Sequence, residues 1–262
     1  MITDYLGMLR LFSRDLRLFL ITAALVALAW DGVRTVILNL YLLRLGYGPQ
    51  FVGLVSAVGA FAFALLCPLA GAMGTRWGSR KMLITGLGML AAGFCLLPLS
   101  ESLTLDLRTG WLLGTTILTY LGFSLYLVNG LPFMMDTTGT KERIHAFSFH
   151  SALLPLTAFG GSLLAGVLPG ILASLLGVPL TEAAPYRYTL WLAALLLVPA
   201  VPVLLFSRSS GSLKMQAPNA EPDKAGSARA PIGLIFIVSL FMSLSFWGRG
   251  PVVTFFNVYM DS

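Results

Sequence analysis

"GAMGTRWGSRK", residues 71–81, places three glycines and three cations in eleven residues between two long apolar runs. Gly71, Gly74 and Gly78 permit backbone turns and close helix approach that a Cβ would block. Arg76, Arg80 and Lys81 fix the side of a membrane on which such a turn lies, because short loops rich in Lys and Arg stay in the cytosol. The stretch reads as a cytoplasmic turn between two membrane helices.

The rest of the chain carries that reading outward. Its 262 residues are 57% hydrophobic and 11% charged, against roughly 45–50% apolar and about 25% charged in soluble domains. Crossing a bilayer takes about 20 apolar residues as helix, and seven runs of about that length appear. They cover Leu18–Leu43, Phe51–Gly74, Met82–Leu99, Trp111–Met135, Phe147–Leu176, Tyr188–Phe206 and Ile232–Met260. Cys67 and Cys95 each lie inside an apolar run, so neither a disulfide framework nor a cysteine metal site is expected, and both read as packing residues. The first run exceeds the core of a secretory signal and is expected to remain as a span.

Orientation follows from the cations. Twelve of the seventeen lie before span one or after spans two, four and six: Arg10, Arg14, Arg17, Arg76, Arg80, Lys81, Lys141, Arg143, Arg208, Lys214, Lys224 and Arg229. The opposite side has Arg44, Arg108 and Arg187. The N-terminus is therefore expected in the cytosol and the protein in the plasma (cytoplasmic, or cell inner) membrane. The net charge of +6 is then a topology signal rather than a nucleic-acid footprint.

Ser207 to Ala230, rich in Ser, Ala, Gly and Pro, reads as a linker dividing six spans from the seventh. Across it "WDGVRTVILNLYL" (30–42) aligns without gaps on "GRGPVVTFFNVYM" (248–260), matching Gly32 with Gly250, Asn39 with Asn257 and Tyr41 with Tyr259. Span seven therefore looks like a second copy of span one.

Taken with this layout, the 71–81 stretch resembles the G-x-x-x-D-R-x-G-R-K signature of the major facilitator superfamily of secondary transporters. Gly71, Arg76, Gly78 and Arg80 fall on its places, with Lys81 one further. The resemblance implies an all-α integral membrane protein: a six-helix transporter half-bundle plus one further transmembrane helix. It assigns 1–206 to the N-terminal six-span half, 207–230 to the cytoplasmic linker and 231–262 to the first span of an incomplete C-terminal half. The partners it implies are the lipid bilayer, a small-molecule substrate and the missing C-terminal half, which transport would need. It also implies that an arginine of the loop reaches a carboxylate at the cytoplasmic end of span four, where Asp136 is available, and so helps latch one conformation. Thr75 stands where the family has aspartate, which weakens that gate. The reading that the loop serves topology alone stays open.

Asp31 and Arg34 lie in the middle of span one, where an ionisable group costs about 2.5–3.5 kcal/mol on insertion scales and usually faces a cavity or a partner. Their i, i+3 spacing also allows a self-contained ion pair. At about 100° per residue, Asp31, Arg34, Thr35, Leu38 and Tyr41 share one face. In the repeat alignment Arg249 stands opposite Asp31. In span four, Thr116, Tyr120 and Ser124 recur every four residues, with Asn129 beyond; such hydroxyls also bond simply to backbone carbonyls. A substrate and proton pathway is therefore expected at Asp31, Arg34, Tyr41, Tyr120 and Arg249, and a conformational gate at Gly71, Arg76, Gly78, Arg80 and Asp136.

In span five, Gly161 with Ala165 and Gly166 with Gly170 have helix-packing spacing, while Pro132 is expected to bend the end of span four. His145 and His150 read as surface groups without zinc spacing. No cofactor or metal is expected. A nucleophile–base pair with convincing spacing is missing, which argues against an intramembrane enzyme, and span seven has no lysine to hold retinal. Transport by alternating access, with possible proton coupling, is the reading these features favour; a transport-inactive regulatory or scaffold relative is the alternative. Substrate identity is not encoded legibly.

Overall fold

The computed structural model describes residues 12–139 and 142–206. The expected linker, the seventh span and Arg249 lie outside them. Six helices long and apolar enough to cross a membrane occur among the described residues: α1 Arg14–Arg44, α2 Pro49–Trp77, α3 Ser79–Ser102, α4 Leu105–Thr137, α5 Arg143–Leu176 and α6 Ala184–Leu205. Each expected run among them is one helix, lengthened at its start in all six and at its end in the first four, while α5 ends at Leu176 as expected and α6 stops at Leu205, one residue short. In α1 the extra turn starts at Ser13, whose Oγ accepts from the Leu16 amide at 3.2 Å and so satisfies one of the first unpaired amides. Arg14 and Arg17 are thus helical.

The expected turn at 71–81 is a single residue. α2 runs to Trp77 and α3 begins at Ser79, and Gly78, at φ 92° and ψ 138°, makes the whole reversal. That conformation is closed to side chains with a Cβ without strain. Gly71, Gly74 and Arg76 are therefore the last turns of a helix rather than loop.

α4 packs on α2 and α3, whereas α1 packs on α5 and α6. Each three-helix unit thus sends its first helix against the middle helix of the other. Lipid offers no hydrophobic gain for helix association, so backbone proximity, dispersion and hydrogen bonds carry it. α1 and α5 meet backbone to backbone. A Cβ on Gly32 would stand 2.5 Å from Gly161 Cα and 2.8 Å from the Ala158 carbonyl oxygen. Ala165, one turn on, is buried too. Gly166 and Gly170 have nothing near them among the described residues, so only the first small-residue pair is a packing seam. Phe61, Leu65, Leu163, Val167, Ile171 and Leu195 point outward and exposed, an apolar exterior suited to lipid.

The Ser102 end is held by several side-chain contacts. Trp111 Nε1 donates to the Leu96 carbonyl at 2.8 Å, and Arg108 donates to the carbonyls of Ser100, Glu101 and Leu103 at 3.2–3.4 Å. Arg187 pairs with Glu101. These contacts occupy the carbonyls and the carboxylate that the end of α3 would otherwise leave open. Pro132 lies inside α4, which continues to Thr137.

Candidate substrate pathway and gate

The middle of α1 is not an α-helix. Leu28–Arg34 winds as a π-helix, in which the backbone pairs at i→i+5, and the Thr35 hydroxyl donates to the Trp30 carbonyl five residues back at 3.0 Å. The wider turn breaks the 100° spacing on which a shared face of Asp31 and Arg34 depended. Asp31 is exposed, whereas Arg34 is only 7% exposed. Among the described residues the two form no ion pair with each other. The i, i+3 pair expected of a regular helix is thus absent here.

Arg34 is held by aromatic faces. Its guanidinium carbon lies 4.3 Å from the Trp30 ring centre and 5.2 Å from that of Tyr120, geometry that contributes about 2 kcal/mol or more where water is excluded. Its Nε is buried without a hydrogen-bond partner among the described residues. Trp30 stacks on Phe123 at 4.1 Å and 9°, and meets Tyr120 edge-on at 5.0 Å. Phe94 from α3 and Phe63 from α2 complete the group. Tyr120 fits there because α2 has glycine beneath its ring: a Cβ on Gly59 would fall 2.7 Å from Tyr120 Cζ. Rings from four helices thus form one aromatic group, two of whose members, Trp30 and Tyr120, hold the cation, with Asp31 exposed one residue from Trp30.

The other expected pathway residues divide. Tyr120 joins Arg34. Tyr41 does not: it is fully buried, and its hydroxyl reaches Ser100 Oγ at 3.2 Å and the Pro98 carbonyl at 3.4 Å, at the Ser102 end. Arg249 lies outside the described residues. Thr116 and Ser124 bond backward to the Leu112 and Leu121 carbonyls, satisfying themselves within α4. The aromatic group was missed in the sequence because Phe63, Phe94 and Phe123 look like any apolar residue of a span. His150, expected at the surface, stacks on Phe19 at 5.8 Å, while His145 is exposed.

At the Gly78 end, four of the five expected gate residues, Gly71, Gly78, Arg80 and Asp136, line a cavity of about 580 Å³ together with Gly74 and Asn129, whereas Arg76 does not line it. Asp136 Oδ2 accepts from Ser79 Oγ at 3.3 Å, and Arg80 Nη2 donates to the Leu205 carbonyl at 2.9 Å. Asn129 donates to the Ala70 and Leu125 carbonyls at 3.2 and 2.9 Å, clasping α2 to α4 beside Gly74. The Thr75 hydroxyl turns back to the Ala72 carbonyl, and Arg76 is exposed.

The sequence model of the Major Facilitator Superfamily matches residues 19–262, nearly the whole chain. The chain belongs to the Major Facilitator Superfamily. Comparison with curated proteins gives no match. Membership in this superfamily makes the protein an integral membrane transporter of small molecules. The swapped packing of α1 on α5 and α4 on α2 suits the three-plus-three inverted repeats within each half of the superfamily fold.

Proposed function

We propose that this protein moves a small solute across the membrane by alternating access, with proton coupling at Asp31 and substrate contact at Arg34, Tyr120 and Arg249. The observation that carries the reading is a buried guanidinium held by Trp30 and Tyr120 with an exposed carboxylate beside it, in the middle of a membrane helix. Ionisable groups at that depth are retained at a cost and mark ion or substrate paths. The π-turn supports it, since such turns recur at functional sites and here separate the two charges instead of letting them cancel. Tyr41 belongs to the pathway only if the Ser102 end opens during the cycle, because its hydroxyl is engaged there.

On this reading, Arg76, Arg80, Gly71, Gly78 and Asp136 form a gate on the cytoplasmic side, the N-terminus faces the cytosol of the plasma membrane, and helices of a second half supply the opposite wall. Thr75, bonded to its own helix, contributes no charge to that gate. In proteoliposomes holding the complete transporter, a ligand found by thermal stabilisation should be accumulated when an imposed proton gradient drives it. Stabilisation without any flux would favour the regulatory or scaffold alternative.

A further inference from the structure

A second cavity, of about 510 Å³, opens beside the Gly78 reversal but faces outward between the start of α3 and the end of α6. Trp77, Arg80, Lys81, Met82, Thr85 and Leu205 line it, and no acidic side chain does among the described residues. Trp77 is 50% exposed, and Lys81 and Thr85, one helical turn apart, are both exposed. Arg80 spans the groove by donating to the Leu205 carbonyl, so one of its cations is held in the wall by a backbone contact.

Depth places this groove at the headgroups. α2 has 29 residues, about 43 Å as helix, against roughly 30 Å of hydrocarbon and roughly 40–45 Å with headgroups. Its last turn, with Trp77, therefore stands at the polar boundary, where tryptophan is favoured. From the cations, Met82, Ile84 and Thr85 follow along α3 toward the hydrocarbon, while Leu205, at the end of α6, walls the groove level with Arg80.

We propose that this groove binds an anionic phospholipid, with the headgroup phosphate on Lys81 and Arg80, the glycerol region against Trp77 and Leu205, and an acyl chain along Ile84 and Thr85. Cations at one end, an interfacial aromatic between and apolar walls beneath match the three zones of that molecule in order. A zwitterionic lipid fits the apolar walls equally but brings its own cation to the two on the protein. Each Lys or Arg near an anionic surface contributes about 1 kcal/mol, roughly fivefold in relative binding. The groove shares Arg80 with the proposed gate, so its test is read from lipid binding at Trp77 and Lys81 and not from transport.

The test is quenching of Trp77 in the full chain, reconstituted in phosphatidylcholine vesicles containing dibrominated phosphatidylglycerol or dibrominated phosphatidylcholine. The Trp77 signal is taken as the difference between the protein and its Trp77→Phe variant. Phosphatidylglycerol should quench that signal at a several-fold lower membrane fraction than phosphatidylcholine, and Lys81→Ala should reduce the preference by about fivefold. Lys81 is exposed, so the variant should fold, and unchanged helical circular dichroism checks that it has. Equal quenching by both lipids, or a preference untouched by Lys81→Ala, would overturn the proposal. No quenching by either would show protein covering the groove, and would overturn it as well.

Discussion

Gly161→Leu should cost the protein its stable fold, whereas Gly166→Leu, five residues along the same helix, should be tolerated. Gly161 lies where α1 and α5 touch backbone to backbone: a Cβ there would stand 2.9 Å from Gly32 Cα and 3.1 Å from the Leu28 carbonyl carbon. Overpacking a core costs about 1–3 kcal/mol when side chains can shift. Here the opposing atoms are main chain, which cannot rotate away, so the expected loss lies at or above the top of that range. Gly166 meets nothing within 4 Å. A thermal scan of the detergent-solubilised variants, read by the loss of monodisperse protein, should show a large fall for Gly161→Leu and little change for Gly166→Leu. Equal melting temperatures would mean the seam does not hold α1 in place. The consequence reaches the site, because Leu28 and Gly32 both belong to the π-helical segment that carries Asp31 and Arg34.

Asp31→Asn should abolish uptake driven by a proton gradient while leaving substrate exchange intact. Asparagine keeps the size and hydrogen-bonding reach of the side chain but cannot gain or lose the proton. Asp31 is exposed, and among the described residues Arg34 does not neutralise it. On the proposed reading the carboxylate exchanges protons with whichever side of the membrane has access. Exchange of labelled for unlabelled substrate moves no net proton and needs only the binding surface. Proteoliposomes measure both in one preparation. Gradient-driven accumulation by the Asn variant equal to that of the parent would place coupling elsewhere.

Much of this architecture is legible in the sequence because membrane helices announce themselves by length and hydropathy, and six of the seven expected spans fall among the described residues as single helices. That a turn lies within residues 71–81 is legible for a different reason, since a positive φ leaves few residues other than glycine, but which of Gly71, Gly74 and Gly78 makes it is not. Geometry that depends on helix phase is not. The shared face of Asp31, Arg34 and Tyr41 assumed a constant 100° per residue, and one π-turn was enough to separate Asp31 from Arg34 and to accompany a Tyr41 that reaches the Ser102 end. Nothing in "LAWDGVR" announces that turn. Contacts across helices are equally silent: Gly161 on Gly32 and Gly59 under Tyr120 pair residues 129 and 61 positions apart, and sequence spacing within one helix says nothing about its partner. Small-residue spacing in α5 narrowed the choice to two pairs, and only the packed structure separates Gly161 from Gly166.

Placing Asp31 on a water-accessible path is the step on which the transport reading stands. The most direct measurement is reaction of Asp31→Cys with a charged, membrane-impermeant thiol reagent in the intact membrane-embedded protein, after removal of Cys67 and Cys95. Leu195→Cys, on the exposed outer face of α6, serves as the comparison. Such reagents attack the thiolate, which forms in water and not in hydrocarbon. Position 31 should react readily and position 195 should not. If the cysteine at 31 proves as inert as that at 195, the Asp31 and Arg34 surface lies against lipid or protein, and no substrate passes it.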